Sequence, residues 1–221
     1  LMHLTRFDIN TARRDSRALL ASPQKLHAAV LASFPPIVDG TGRVLWRIDR
    51  AEPRATLFIV SPHRPDLTHL VEQAGWPTSD RTWDTRDYQP LLDRLDIGQQ
   101  WAFRLTANPT ASRRKAPDSP RSQRFGHVTV AQQTVWLLTR TERLGFTIPV
   151  GEHKEPDVAI RSRDNLAFAR QGRTVTLTTA TYEGHLRITD PDALRTALTE
   201  GIGPAKAYGC GLLTLAPIRH A

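Results

Sequence analysis

Val44-Leu45-Trp46-Arg47-Ile48-Asp49 and Thr56-Leu57-Phe58-Ile59-Val60-Ser61 are joined by a charged turn that holds Pro53, and together they read as a β-hairpin. What flanks the hairpin decides the fold. Upstream, His3-Leu4-Thr5-Arg6-Phe7-Asp8-Ile9-Asn10 alternates apolar and polar, the period of a half-buried strand. Ser22-Pro23 then marks a helix start, with serine as N-cap and proline in the first turn, and Leu26, Val30 and Phe34 recur four apart as a core stripe. Pro35-Pro36 ends that helix. Downstream, a weaker helix around Leu91 to Leu95 precedes Trp101-Ala102-Phe103-Arg104-Leu105-Thr106, which alternates again. The order β-α-β-β-α-β is the ferredoxin-like pattern, in which two helices cover one face of a four-stranded antiparallel sheet and leave the other face free to work.

The rest of the chain predicts a second copy. Residues 130–144 are helical by the spacing of Val130, Val135, Leu138 and Leu144, with Trp136-Leu137 filling out the stripe. Residues 158–168 and 174–182 form a second hairpin, and a helix from Pro191 and a strand at Leu212-Leu213-Thr214-Leu215-Ala216 follow. We therefore expect an α+β protein of tandem ferredoxin-like, RRM-like domains with antiparallel sheets and helices on one face. The expected parts are an N-terminal domain over 2–107, a basic linker or mobile arm over 108–126, and a C-terminal domain over 127–221. The arm carries Arg113, Arg114, Lys115, Arg121 and Arg124 against the single acid Asp118, with almost no large apolar residue.

The 221 residues carry a net charge of +8, unevenly placed. Residues 1–100 hold 13 basic and 12 acidic side chains, residues 101–221 hold 17 and 10. Only Lys25, Lys115, Lys154 and Lys206 are lysines, so arginine dominates, and its planar fork suits phosphate and base edges. A GC-rich genome would raise arginine everywhere and does not explain the asymmetry. The basic C-terminal half points to a polyanionic partner, with the arm and with Arg161, Arg163, Arg170 and Arg173 beside the second hairpin as candidate contacts. An arginine-rich exposed hairpin face is the plainer reading of the latter four.

Cys210 is the only cysteine, which excludes an intramolecular disulfide and a thiolate metal cluster, and its place between two glycines reads as a small packed residue. His3, His63, His69, His127, His153, His185 and His220 show no metal-ligand spacing, no G-x-S-x-G elbow is present, and the acids are scattered, so neither a metal nor a cofactor is expected. With no apolar run of membrane-spanning length and no charged-then-apolar leader, the expected location is the cytoplasm, without a membrane partner.

Gly201-Ile202-Gly203-Pro204-Ala205-Lys206-Ala207-Tyr208-Gly209-Cys210-Gly211 is the densest motif. Glycines at 201, 203 and 209 let main-chain N–H groups approach a phosphate, Lys206 adds a point charge, and Tyr208 adds a stacking face. The loop follows a helix and leads into a strand, and it lacks G-K-[ST], which argues against a P-loop and a nucleotide-binding or transferase domain. The bland reading is a helix C-cap and tight packing of the last strand.

The opening strand, Leu20-Ala21-Ser22-Pro23-Gln24-Lys25-Leu26-His27, the stretch Trp136-Leu137 to Glu142-Arg143-Leu144-Gly145-Phe146, and the terminal glycine loop running into Leu212-Leu213 resemble, in this order, the CasE family, the RNA-processing endoribonuclease subunit of type I-E CRISPR systems. The resemblance implies tandem ferredoxin-like domains, recognition of a stem-loop in the CRISPR repeat transcript and metal-independent cleavage at the 3′ base of the stem. It also implies attack by the 2′-hydroxyl, 2′,3′-cyclic phosphate and 5′-hydroxyl ends, and lasting association with the product and the other subunits of the surveillance complex. A lone histidine is ordinarily a surface or satisfied core residue. His27, one turn inside a helix and off the apolar stripe, gains a proton-transfer role from that position together with the family motif. Family members often carry a tyrosine three residues before this histidine; here Gln24 stands there, and Lys25 is the candidate substitute, with Lys206 as a phosphate stabiliser. The alternative from another class is a non-catalytic RNA-binding scaffold subunit, which the missing tyrosine favours and His27 opposes.

Overall fold

The computed structural model describes residues 1–35, 42–51, 54–114, 122–170 and 172–218. β1 (His3–Ile9) turns His3, Thr5, Phe7 and Ile9 inward, as its alternation predicts. Two helices follow, α1 (Arg14–Leu20) and α2 (Pro23–Leu31). The start of α2 is fixed locally: Ser22 Oγ accepts from the backbone N–H of Lys25 at 3.3 Å, and Pro23 sits in the first turn, where a missing N–H leaves no bond unmade. Leu26, Val30 and Phe34 are all buried, so the predicted stripe is the one that packs. β2 (Leu45–Ala51) and β3 (Arg54–Ser61) pair as the predicted hairpin, and α3 (Thr68–Ala74) and β4 (Trp83–Asp87) complete the first repeat.

The sheet order is β2-β3-β1-β4 with every pairing antiparallel, the ferredoxin-like order. One face buries Phe7, Trp46, Leu57 and Ile59 against Leu26, Val30, Leu70 and Val71 of the helices. The second helix and the fourth strand are not those the sequence suggested. The segment around Leu91 to Leu95 contributes only the short α4 (Gln89–Asp93), and Trp101 to Thr106 lies in β5 (Gln100–Ala107), which belongs to the other sheet. The first sheet thus closes at Asp87 and the second opens at Gln100, rather than the change falling at residue 107. α3 has seven residues and no capping side chain, and β4 reads Trp-Asp-Thr-Arg-Asp without apolar alternation, so neither carries the local pattern that marks an element.

After β5 come β6 (Thr110–Arg114) and β7 (Ser122–Gly126), then α5 (Val130–Leu138), β8 (Phe146–Thr147), β9 (Val158–Arg170), β10 (Arg173–Ile188), α6 (Pro191–Glu200) and β11 (Leu213–Ala216). The second sheet runs β11-β5-β10, with β9 and the short β8 both on the far edge of β10, again ferredoxin-like and antiparallel. β6 and β7 pair with each other, Ser112 opposite Arg124 and Arg113 opposite Gln123, so much of the expected linker is a two-stranded hairpin inserted between β5 and α5. The helix expected over 130–144 stops at Leu138, and Glu142–Leu144 is a separate 3-10 turn. Its buried face is Gln133, Trp136 and Leu137, while Val130 and Val135 face solvent.

The repeats share a core. Leu45 and Val60, on the face of the first sheet away from its helices, pack with Leu105, Phe146, Tyr182 and Leu213. Burying each such aliphatic side chain contributes about 2 kcal/mol.

Candidate nucleic-acid interface and active site

α2 packs on β9 and on the 3-10 turn Lys206–Tyr208 of the glycine-rich loop, so the helix that starts at Ser22 meets the C-terminal repeat directly. His27 is half-buried on this side of α2, and the indole N–H of Trp46 donates to its Nδ1 at 3.4 Å. Trp46 comes from β2 and is 3% exposed. The loop closes over the ring at Gly209, whose φ of 78° is left-handed and where a Cβ would stand 2.7 Å from Cζ3 of Trp46. Lys25 is exposed and Gln24 half-buried on the first turn of the same helix.

The other glycines make room for side chains as much as for a ligand. A Cβ at Gly201 would lie 3.0 Å from Cε of Lys206, and one at Gly203 the same distance from the Trp136 ring. The Lys206 stem therefore lies against the loop that carries it, and desolvation, reinforced by nearby Arg43 and opposed by Glu200, holds its ammonium below the ordinary lysine value. Ala205, just before the turn, is left-handed at φ 62° without being glycine. Tyr208 turns against the ring of Phe168, 4.8 Å between centroids in an edge-on arrangement, and borders the small apolar cluster of Phe168, Leu177 and Cys210. Burial pushes the Cys210 thiol up to about 12, which fits a packed residue and not a nucleophile.

A cleft of about 400 Å³ separates α1, α2 and β2 from β9 and β10, and Leu26, Trp46, Tyr208 and Gly209 line it together with Arg104 and Arg161. Arg161 stands at the register shift where β9 leaves one extra residue opposite β10, and its Nε meets Glu183 at 2.9 Å while the side chain stays largely exposed. Arg163 is exposed and donates to the carbonyl of Val128 at 3.2 Å. Arg113, Arg114 and Arg124 hold register positions on β6 and β7, and Arg170 and Arg173 pair where β9 meets β10. Lys115 lies outside the described residues.

A second groove, of about 1020 Å³, runs between α5 and the glycine loop. Arg140, Arg143, Lys206 and His127 line it, and among the described residues no carboxylate does. The Arg140 guanidinium lies over the Trp136 ring, 4.4 Å from its centroid, and donates to the Trp136 carbonyl at 2.7 Å. Burial and then Arg143 hold Arg140 below the ordinary arginine value. Cations clustered beside an aromatic ring are the chemistry of a phosphate-backbone track. Sequence reasoning gave no role to Arg140 or Arg143. The available signal was two arginines, three apart, directly after an apolar helix.

Among the described residues no helix is long and apolar enough to cross a bilayer, and no three His, Cys, Asp or Glu side chains converge as a metal site.

The family model described as CRISPR associated protein matches residues 2–217, and the chain belongs to that family. It is 32% identical to the CRISPR-associated endoribonuclease Cse3 of Thermus thermophilus, over 98% of this chain and all of that protein. It is 27% identical to the CRISPR system Cascade subunit CasE of Escherichia coli, over 92% of this chain and 96% of that one. The solved structure of Thermus thermophilus Cse3 bound to an RNA representing a pre-cleavage complex superposes with a TM-score of 0.80 at 32% identity, covering 98% of this chain and 99% of the other.

Proposed function

We propose that this chain is a CRISPR repeat endoribonuclease that binds the repeat stem-loop and cuts the precursor transcript at the 3′ base of the stem. In the proposed reaction the 2′-oxygen of the nucleotide 5′ to the cut bonds to its own phosphorus and loses its proton. The bond from phosphorus to the 5′-oxygen breaks, and that oxygen gains a proton. The ends are a 2′,3′-cyclic phosphate and a 5′-hydroxyl, and neither water nor a metal ion enters the balance.

His27 is the proton-transfer group of this reading, a role worth about 10²–10⁴-fold in rate. Lys25 and Lys206 stabilise the crowded phosphorane, and Arg140 and Arg143 hold the stem by its phosphates with the arginines of the hairpin arm. The observation that carries the reading is the packing of the His27 helix against the Lys206–Tyr208 turn, beside a cleft between the repeats that Leu26, Tyr208 and Gly209 line. The similarity to an RNA-bound endoribonuclease over the whole chain supports it. The cut RNA stays bound and joins the other subunits of a type I-E surveillance complex.

The test is incubation of the purified chain with an end-labelled repeat hairpin in EDTA. Site-specific scission with a cyclic phosphate end is expected. Tight binding without scission would instead support the non-catalytic scaffold, the reading that Gln24 in the tyrosine position favours.

A further inference from the structure

Trp46 is 3% exposed, packs on the helix-covered face of β2, and donates its indole N–H to Nδ1 of His27 at 3.4 Å. An indole nitrogen donates and never accepts. The histidine nitrogen that it meets must therefore present a lone pair, and a neutral imidazole with its lone pair on Nδ1 carries its proton on Nε2. A proton on Nδ1 would set two N–H groups against each other. The indole has little room to turn away, because Gly209 lies over it with space for no Cβ and Leu26 and Val30 pack in the same cluster.

We propose that Trp46 is a positioning residue that selects the Nε2–H tautomer of His27. His27 then meets the RNA as a neutral hydrogen-bond donor, toward the departing 5′-oxygen or a non-bridging phosphate oxygen. It is not the group that accepts the 2′-hydroxyl proton: that proton passes to solvent, the departing 5′-oxygen takes one through Nε2–H, and the ring recovers its own from solvent, so His27 is the proton-transfer group of the leaving side. A neutral imidazole polarising an oxygen is established enzyme chemistry. The proposal rests on the assignment of His27 to the cleavage site, but the tautomer belongs to the free protein and is read without RNA.

The experiment compares the wild type with Trp46→Phe and with a variant carrying β-(3-benzothienyl)alanine at position 46, which keeps the bicyclic shape and replaces the N–H by sulfur. Nitrogen-15 spectra of the His27 ring, recorded with the ring neutral, should show a pyridine-type Nδ1 and a pyrrole-type Nε2 in the wild type and a mixture of tautomers in both variants. The Trp46 indole proton should move upfield in His27→Ala. In single-turnover cleavage the benzothienyl variant should be slower by about tenfold, the weight of one ordinary hydrogen bond, with hairpin affinity within twofold of wild type. A merely structural tryptophan would leave tautomer and rate unchanged in the shape-matched variant, and that result overturns the proposal. So does a wild-type ring protonated on Nδ1, whatever the RNA does. A wild type that shows the Nε2–H ring but leaves the hairpin uncut would sink the cleavage reading and the catalytic part of this one, with the tautomer selection upheld.

Discussion

Arg47 grips Asp49 two residues along the same face of β2, Nε to Oδ1 at 2.6 Å and Nη2 to Oδ2 at 3.0 Å. The guanidinium is 2% exposed and also donates to the carbonyls of Arg104 and Leu212 and to Thr214 Oγ1, each at 2.9 Å. Asp49 meets Arg104 at 2.9 Å, Arg104 meets Glu183, and Glu183 meets Arg161. One run of alternating charge thus leads from the first repeat across the second sheet and forms a wall of the cleft.

Arg47→Met removes the bonds that its own guanidinium makes and leaves two buried carbonyls and a carboxylate short of a partner. A loss of about 3 kcal/mol in unfolding free energy is expected, measured by urea denaturation. A change below about 1 kcal/mol would mean that the buried network does not hold the repeats together.

His27→Ala should slow single-turnover cleavage by about 10²–10⁴-fold while hairpin affinity stays within a few-fold, since the residue acts on protons and contributes little to phosphate binding. Cleavage at the wild-type rate would return His27 to an ordinary half-buried histidine.

Much of this geometry was legible in the sequence, and what was not has a physical reason. α2 could be read because its determinants are local: a serine cap, a first-turn proline and a four-residue stripe. The position of His27 followed from the same signals. β4 and α3 could not, since a polar strand and an uncapped seven-residue helix owe their form to the sheet and core around them. The apolar spacing of Val130 and Val135 misled because Trp136 and Gln133, on another face of α5, reach the core. The cationic groove was illegible for a different reason. Lys206 and Arg140 are far apart in the chain, and only the packing of the glycine loop beside α5 makes them neighbours.

That groove should dominate the salt dependence of binding. Replacing Arg140 and Arg143 by alanine together should reduce the slope of log K against log salt by about 1–2, each lost phosphate contact returning its counterion. Reversing Arg113, Arg114 and Arg124 should flatten it further if the hairpin arm lies along the stem. Slopes unchanged by both sets would place the RNA elsewhere on the molecule.

Cys210 offers a readout of folding with a definite sign. Burial raises its thiol from 9.0 to about 12, so the stabilisation from the protonated form is complete below pH 9 and falls away as the pH rises from 9 toward 12, where the unfolded thiol ionises first. At pH 8 the folded thiolate is about one part in 10⁴, so iodoacetamide should label the native protein slowly and the urea-unfolded protein fast. Rapid labelling of the native chain would contradict the packed assignment.

The central claim is internal transfer, and one substrate tests it. The repeat hairpin is made with a 2′-deoxynucleotide immediately 5′ of the scissile phosphate, and its cleavage and affinity are measured in EDTA beside the all-ribose hairpin. The account predicts unchanged binding and no cutting, because the attacking oxygen is gone while the stem and its phosphates remain. Efficient cutting of the deoxy substrate, or cutting that begins only when Mg²⁺ is added, would contradict it, since a metal-activated water has no need of the 2′-hydroxyl.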